Sequence, residues 1–164
     1  MRLYIVRHAF AGQHGDPNYP DDSLRPLTSQ GRKQFKRLVE AIAENGFRPD
    51  IVATSPYVRC RETAQIVADE VSGCAAPIEL SALAPGSELD AMIAWTRQQK
   101  ADEIAWVGHA PDVEQLTASL VGGDKAAIHF GKGTIAAIEF ADLLALAPGH
   151  GELRWLVTTK ILGC

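Results

Sequence analysis

The sequence predicts an α/β protein, a three-layer α/β/α sandwich with a mostly parallel central sheet and helices on both faces. Short apolar runs such as residues 3–6 and 104–107 are bounded by polar or glycine residues, as in strands covered on both faces. These runs alternate with segments of helical periodicity, which is typical of parallel strands joined by crossover helices. A chain of 164 residues suffices for one sizeable core, so we expect a single domain over residues 1–164.

The first elements are a strand, a long loop and a helix. The strand over residues 3–6 leads into His8, and the polar stretch 11–26, rich in Gly and Pro, predicts a loop that overhangs this histidine. Thr28 is predicted as the N-cap of a helix with apolar residues at helical spacing. The pair Asn45-Gly46 closes that helix.

The middle of the chain repeats this alternation. Residues 50–55 predict a second strand, and Pro56 suits the first turn of the helix that follows. Residues 77–80 predict a weaker strand. After the turn at Pro85-Gly86, Ser87 is a candidate cap for a short amphipathic helix.

The last part of the chain predicts a buried strand, a helix and a closing hairpin. The strand 104–107 leads into His109, and the helix that begins near Pro111 is closed by Gly122-Gly123. Residues 134–140 and 153–157 are separated by a Pro- and Gly-rich turn, which predicts two antiparallel strands.

The composition restricts the function classes. Hydrophobic residues make up 46% of the chain, charged residues make up 22%, and the net charge is −4. Without dense Lys/Arg clusters, such a chain is not expected to bind nucleic acid or an anionic membrane. No apolar run reaches the length of a membrane span and no signal peptide precedes the first strand, so we expect a cytoplasmic protein. The three cysteines have neither metal-ligand nor disulfide spacing, which agrees with a reducing compartment.

Reactive and cationic side chains follow three of the predicted strands, at the edge where parallel sheets bind ligands. Arg7 and His8 follow the first strand, and His109 follows the fourth. Arg59 lies one helical turn after Ser55, near a helix N-terminus that favours anions. Because the planar guanidinium of arginine matches phosphate oxygens, the convergence predicts a phosphoryl-binding site in which His8 is the nucleophile.

Three segments resemble the signatures of the histidine phosphatase superfamily, which includes the phosphoglycerate mutases. Arg7-His8-Ala9 resembles the Arg-His-Gly of that family, and residues 55–64 resemble its Ser-Pro-x-x-Arg-Ala-x-Gln-Thr-Ala. Gly108-His109 is similar to its second histidine. The short chain and the segment 22–31 look most like the SixA-type phosphohistidine phosphatases. The resemblance covers most of the chain up to about Gly122 and implies a phosphoglycerate-mutase-like fold.

The resemblance also implies a role for each matching residue. His8 is expected to be the phosphorylated nucleophile, Arg7 and Arg59 to bind the phosphoryl oxygens, and a protonated His109 to support the transfer. Arg25 is expected to add a phosphate contact, although a solvated loop residue is an alternative interpretation. Positioning and positive charge suffice for phosphoryl transfer, so neither a metal nor another cofactor is expected.

The sequence departs from the family at two places. Ala9 replaces a glycine, which an extended backbone would tolerate. The glutamate that acts as general acid in mutases and many phosphomonoesterases has no counterpart in residues 80–86. Imidazole is a far better leaving group than an alkoxide, so the missing acid favours phosphohistidine over a sugar phosphate. The carboxylates that could still serve as acids are Glu88, Asp16, Asp21 and Asp22.

We therefore expect a phosphatase that removes phosphate from phosphohistidine on a protein through a phosphohistidine intermediate. Its partner is expected to be a phosphorylated substrate such as a histidine-phosphotransfer protein in signal transduction; the sequence carries no information on oligomeric state. Two alternatives stay open: a small-molecule phosphomonoesterase or mutase, and a non-catalytic phosphate-binding module. Retention of both histidines and both arginines favours an enzyme over the module.

Overall fold

The computed structural model describes residues 1–122 and 126–160, so Gly123 of the predicted helix stop lies outside the described residues. Within them, six strands form one sheet in the order β3-β2-β4-β1-β5-β6. The strands are β1 (Arg2–Arg7), β2 (Ile51–Thr54), β3 (Ile78–Glu79), β4 (Glu103–Gly108), β5 (Ile135–Glu139) and β6 (Glu152–Val157). The helices are α1 (Ser29–Ala43), α2 (Val58–Glu70), α3 (Leu89–Thr96) and α4 (Asp112–Val121). Short 3-10 turns cover Asp22–Leu24 and Ser81–Leu83.

The sheet is mostly parallel, as predicted. Strand β4 runs parallel to β1 and β2, and β2 runs parallel to β3. The late strands β5 and β6 form the predicted antiparallel hairpin, in which β5 pairs with β1. Arg7 is in register with Gly108, so β1 and β4 end level with each other. The residues that follow these two strands therefore emerge side by side.

Apolar cores lie on both faces of the sheet and confirm the three-layer arrangement. On one face, the side chains of Tyr4 and Val6 pack with Phe35 and Leu38 of α1 and Val67 of α2. The opposite face packs against the other two helices, with a core that includes Leu3, Ile5, Trp106, Met92 of α3 and Leu116 of α4. Neighbouring residues of β1 alternate between the two cores, as the two-residue period of a strand requires.

Some boundaries differ from the predicted ones. The weak strand at 77–80 is reduced to the exposed pair Ile78–Glu79, and α2 begins at Val58, two residues beyond Pro56. The prediction that Ser87 caps α3 is wrong, because the cap is Glu88, whose side chain makes no capping hydrogen bond. The helix starts one residue later because the Glu88 carbonyl accepts the first helical bond, from Met92 N. In the described part of the chain, no helix is long and apolar enough to cross a membrane.

Candidate active site

The two predicted histidines meet at the carboxyl edge of the sheet. His8 follows β1 and His109 follows β4, and their ring centroids are 5.5 Å apart. Both side chains are buried. The His8 backbone N–H donates to the Gly108 carbonyl at 3.1 Å, which continues the β1–β4 pairing to the catalytic edge. The register of two buried strands thus brings the imidazoles together.

His8 is held with one ring nitrogen available for chemistry. Its Nδ1 lies 2.8 Å from the carbonyl oxygen of Ala9. A carbonyl oxygen only accepts, so Nδ1 carries the proton and Nε2 keeps its lone pair. Burial, together with the charges of Arg59 and Arg7 and the nearby His109, lowers the pKa of His8 to about 3. The imidazole is therefore neutral near pH 7, as a nucleophile must be.

The alanine that follows His8 fits its position. Among the described residues, every backbone with positive φ belongs to a glycine, so Ala9 does not need the conformation that favours glycine. The Ala9 N–H donates to Thr63 Oγ1 at 3.1 Å, and the Thr63 hydroxyl donates to the Arg59 carbonyl at 2.6 Å. This pair of hydrogen bonds ties the residues after β1 to α2, the helix that carries Arg59.

His109 is neutral in the free site, in contrast to the protonated form expected from the sequence. Its Nδ1 lies 3.3 Å from Nη2 of Arg59, and its Nε2 lies 2.8 Å from Oγ of Ser55. Arginine only donates, so Nδ1 accepts and Nε2–H donates to the hydroxyl. Burial, followed by the positive charge of Arg59, lowers the pKa of His109 to about 4. A guanidinium at hydrogen-bond distance explains why the protonated form is disfavoured.

The three predicted arginines line one pocket with both histidines. Arg59 is buried, and its Cζ lies 4.8 Å from the centroid of the Tyr57 ring. Arg7 donates from Nη1 to the carbonyl of Phe130. The Nε atoms of Arg7 and Arg59 are buried and have no hydrogen-bond partner among the residues that the structure describes. Buried donors without a partner fit a site that receives an acceptor-rich anion.

Arg25 also belongs to this pocket, so the interpretation as a solvated loop residue is wrong. Its side chain is buried, and Nη1 donates to the Ala11 carbonyl. The loop is fixed close by, because Leu27 N–H donates to Glu62 of α2 at 2.7 Å. The chain just after Arg25 is therefore anchored to the helix that carries Arg59.

A carboxylate links two of the arginines. Asp22 Oδ1 accepts from Nε of Arg25 at 2.8 Å, and Oδ2 pairs with Nη2 of Arg59 at 3.0 Å. The backbone carbonyl of Asp22 also accepts from Nη1 of Arg59 at 2.7 Å. Partial burial works against ionisation, but hydrogen bonds from Arg25 and His14 and the charge of Arg59 lower the pKa of Asp22 to about 2. Asp22 is thus an ion-pair partner and a poor proton donor.

The other candidate acids lie apart from the pocket lining. Asp16 accepts hydrogen bonds from Asn18, and Asp21 caps the 3-10 turn through the Ser23 N–H. Glu88 is exposed and is not among the residues that line the pocket. The structure therefore does not bring these three carboxylates to the two histidines.

Sequence reasoning missed three residues that line the pocket, His14, Asp112 and Lys132. Exposed His14 donates from Nδ1 to Asp22 Oδ1 at 3.0 Å. Asp112 begins α4 and accepts from the Gly86 N–H at 2.9 Å. Its position three residues after His109 at a helix start was a usable signal. Lys132 precedes β5, and nothing local in the sequence connects it with the first loop.

The pocket carries excess positive charge. Arg7, Arg25, Arg59 and Lys132 face the two carboxylates Asp22 and Asp112. Such a surplus suits the dianion of a phosphoryl group. Within residues 1–122 and 126–160, no group of three or more His, Cys, Asp or Glu could hold a metal ion. Independence from metals stays a prediction.

Comparisons with known proteins identify the family of this chain. Residues 3–84 match the family model of the histidine phosphatase superfamily (branch 1). An uncharacterized protein from Picosynechococcus sp. is 32% identical over 126 residues, which cover 75% of this chain and 74% of that protein. Phosphohistidine phosphatase SixA from Escherichia coli is 24% identical over 158 residues, 94% of this chain and 92% of that protein. This chain belongs to the histidine phosphatase superfamily.

Solved structures with the same fold include a protein histidine phosphatase and an alpha-ribazole phosphatase. The protein histidine phosphatase SixA complexed with tungstate has a TM-score of 0.84 at 23% identity, covering 99% of both chains. The alpha-ribazole phosphatase from Shigella flexneri has a TM-score of 0.69 at 18% identity, covering 97% of both chains. At these identities the likeness establishes the shared phosphoglycerate-mutase-like fold. The family and its neighbours indicate a phosphatase, and the substrate must be argued from the site.

Proposed function

We propose that this chain is a SixA-like phosphohistidine phosphatase that removes the phosphoryl group from a phosphorylated histidine on a protein. The observation that carries the proposal is the neutral His8, whose Nδ1 is held by Ala9 while Nε2 keeps its lone pair beside three arginines. The sequence match to SixA over most of the chain supports the same substrate class. The proposed partner is a histidine-phosphotransfer protein, and the proposed setting is cytoplasmic signal transduction.

In the first step, Nε2 of His8 attacks the phosphorus atom in line. The new P–N bond forms as the P–N bond to the substrate imidazole breaks, and the bonding electron pair leaves with that imidazole, whose other nitrogen is protonated. Arg7, Arg25 and Arg59 neutralise the charge on the phosphoryl oxygens. A bound dianion favours protonation of His109, which then adds positive charge next to Arg59.

In the second step, water attacks the phosphorus of phospho-His8. The P–N bond to His8 breaks, Nε2 recovers its lone pair, and inorganic phosphate carries away the protons of the water molecule. Every group in both steps belongs to this chain, the substrate or water. The mechanism therefore needs no proton donor for the leaving group beyond the substrate imidazole itself.

A second candidate function, hydrolysis of a small-molecule phosphomonoester, is favoured by Asp112. Its carboxylate lines the pocket and accepts a hydrogen bond from the Gly86 N–H, in contrast to the arginine-bound Asp22. An alkoxide leaving group needs a proton in the transition state, an aid worth roughly 10²–10⁴-fold. Asp112 is therefore the carboxylate of the pocket to test as the proton donor for an alkoxide.

The test is a kinetic comparison combined with trapping of the phosphoenzyme. We expect kcat/KM for a phosphohistidine protein to exceed that for any sugar phosphate at least tenfold, about 1.4 kcal/mol in transition-state stabilisation. We expect acid-labile phosphate on wild-type protein after rapid quenching, and its absence from folded His8→Ala. Acid-labile phosphate on the His8→Ala variant would show that the nucleophile is wrongly assigned. A phosphomonoester with the higher kcat/KM would overturn the proposed substrate class.

A further inference from the structure

Lys132 lies where the active-site pocket meets a second pocket. It lines the first pocket together with His8 and the three arginines. The second pocket is lined by Lys132, Phe10, Thr159 and Lys160 among others, and no carboxylate of residues 1–122 or 126–160 contributes to its lining. The ammonium group therefore belongs to the active site and to a cationic cleft next to it.

The contacts of Lys132 hold it in place without an acidic partner. Its Nζ donates to the Gly12 carbonyl at 2.9 Å and lies 4.3 Å from the centroid of the Phe10 ring. Both residues belong to the loop that follows His8. Within the described ranges 1–122 and 126–160, no carboxylate forms an ion pair with Lys132. An ammonium has three donor hydrogens, so it can bind an anion without losing the Gly12 contact.

Among the described residues, the charged groups that act on Lys132 are cations. Burial, followed by repulsion from Arg7, Arg25 and Arg59, lowers the pKa of Lys132. Two of those arginines share the carboxylate of Asp22, whose ion pairs within the described residues go to arginine and histidine and not to Lys132. Binding an anion at Lys132 would offset both the burial of the ammonium and its repulsion by the arginines.

We propose that Lys132 binds a second acidic group of the substrate, a carboxylate or phosphate next to the phosphoryl group that His8 attacks. The arginines surround the transferred phosphoryl group, whereas Lys132 is shared with the neighbouring cleft. The site thereby selects substrates that present two anionic groups side by side. On a protein, the second group is an acidic side chain near the phosphohistidine; on free phosphohistidine, it is the α-carboxylate. This inference extends the proposed function and rests on it.

The first test uses two phosphohistidine peptides that differ only by Glu or Gln next to the phosphorylated residue. We expect wild-type protein to prefer the Glu peptide about fivefold to tenfold in kcat/KM, the range of one charge-assisted contact that is partly exposed. Lys132→Gln should lose that preference, and Lys132→Arg should keep most of it. Exposed Lys100, outside both pockets, provides the matched control Lys100→Gln. Free phosphohistidine and its carboxamide, compared in the same way, report whether an α-carboxylate serves as the second group.

The outcomes separate this proposal from its alternatives. An equal loss on both peptides in Lys132→Gln would overturn it, because Lys132 would then act on the transferred phosphoryl group. An unchanged preference for the Glu peptide in Lys132→Gln would also overturn it.

A binding measurement keeps the test independent of turnover. We expect calorimetry to give wild-type protein a tighter Kd for pyrophosphate than for inorganic phosphate, and Lys132→Gln to reduce that difference about fivefold or more. If phosphohistidine is not hydrolysed but the pyrophosphate preference depends on Lys132, the proposed function fails while the second anion site stands. If hydrolysis occurs and neither preference depends on Lys132, the second anion site fails alone.

Discussion

At the scale of single residues, the site depends on groups that fix the orientation of others. Asp22 holds the guanidinium of Arg59 through its carboxylate and its carbonyl, and it holds Arg25 through the same carboxylate. A bound phosphoryl group must share these arginines with Asp22. The carboxylate therefore orients the arginines and at the same time competes with the substrate for them.

We expect Asp22→Asn to lower kcat while it tightens the binding of inorganic phosphate. The amide removes a negative charge from the arginine cluster, so Kd for phosphate should fall by about threefold or more. The loss of ion-pair geometry at Arg59 should lower kcat by about tenfold or more. Steady-state kinetics and calorimetry measure the two effects. A higher Kd together with an unchanged kcat would contradict the role given to Asp22.

A second prediction concerns the protonation of His8. Its pKa in the folded protein is about 3, below the ordinary histidine pKa of about 6.5, because burial disfavours the imidazolium. We expect ¹⁵N NMR of the free protein to show the neutral Nδ1–H tautomer down to about pH 5. A midpoint between about pH 6 and pH 7 for this ring would contradict the assignment.

The same shift has a consequence for stability. Because the folded pKa of His8 lies below that of the unfolded chain, the unfolded state binds the proton first as the pH falls. The contribution of the neutral ring is complete above about pH 6.5 and decreases towards pH 3. Urea unfolding of wild-type protein should therefore become easier over this window, and His8→Ala should show a shallower pH dependence.

The site residues that the sequence predicts are positioned by strands and helices, whereas the missed ones depend on the path of a loop. His8 and His109 follow apolar strands, so the chain order and the sheet rules bring them together. Arg59 follows from the helix after β2. The contacts of Lys132 and His14 depend on the folded path of the loop 11–26, which no local pattern specifies. The tautomer and the charge of His109 depend on its contact with Arg59 in the folded protein, so neither could be predicted from the sequence.

At the scale of elements, the start of α1 fixes the loop that follows His8. Thr28 caps α1 as predicted, and its backbone N–H donates to the Phe10 carbonyl at 2.9 Å. Gly31 lies so close that a Cβ atom there would be 2.2 Å from that carbonyl oxygen. Only a glycine allows this approach. The helix thereby holds Phe10, whose ring lies against the Lys132 ammonium.

We expect Gly31→Ala to destabilise the protein even though alanine is the better helix former. The clash with the Phe10 backbone should cost about 1–3 kcal/mol in the free energy of unfolding, the usual range for overpacking. It should also lower kcat, because the displaced loop carries the residues next to His8. Urea denaturation measures the first effect. Gln30→Ala, at an exposed position of the same turn, is the control; equal stability of the two variants would contradict the close-contact argument.

Buried strands could be predicted from the sequence more reliably than the short exposed strand or the exact start of a helix. The buried strands β1 and β4 are covered on both faces, and their continuous apolar runs identified them. Strand β3 is short and exposed, so its sequence carries little burial signal. A cap at Ser87 predicts the start of α3 one residue too early, because the N-cap is Glu88, which makes no side-chain capping bond, and the helix begins at Leu89. Burial patterns thus located elements better than local capping residues did.

At the scale of the whole molecule, the fold brings distant parts of the chain to one pocket. The first loop provides Arg25, α2 provides Arg59, and the start of α4 provides Asp112. Exposed Glu88 remains outside. An alkoxide leaving group needs a proton and an imidazole does not, so we expect the substrate class to depend on which carboxylate, if any, donates a proton.

The comparison of Asp112→Asn with Glu88→Gln tests whether a carboxylate donates a proton to the leaving group. When phosphohistidine is the substrate, the leaving group is an imidazole whose other ring nitrogen is already protonated. We therefore expect each variant to keep kcat on phosphohistidine within about threefold of wild type. On an alkyl phosphomonoester, Asp112→Asn should reduce the residual rate further than Glu88→Gln does, because Asp112 lines the pocket and Glu88 does not. If Asp112→Asn instead lowered kcat on phosphohistidine by two decades, about 2.7 kcal/mol, the acid would be essential for the favoured substrate. The leaving-group argument would then be wrong, and the chain would be better described as an acid-dependent phosphomonoesterase.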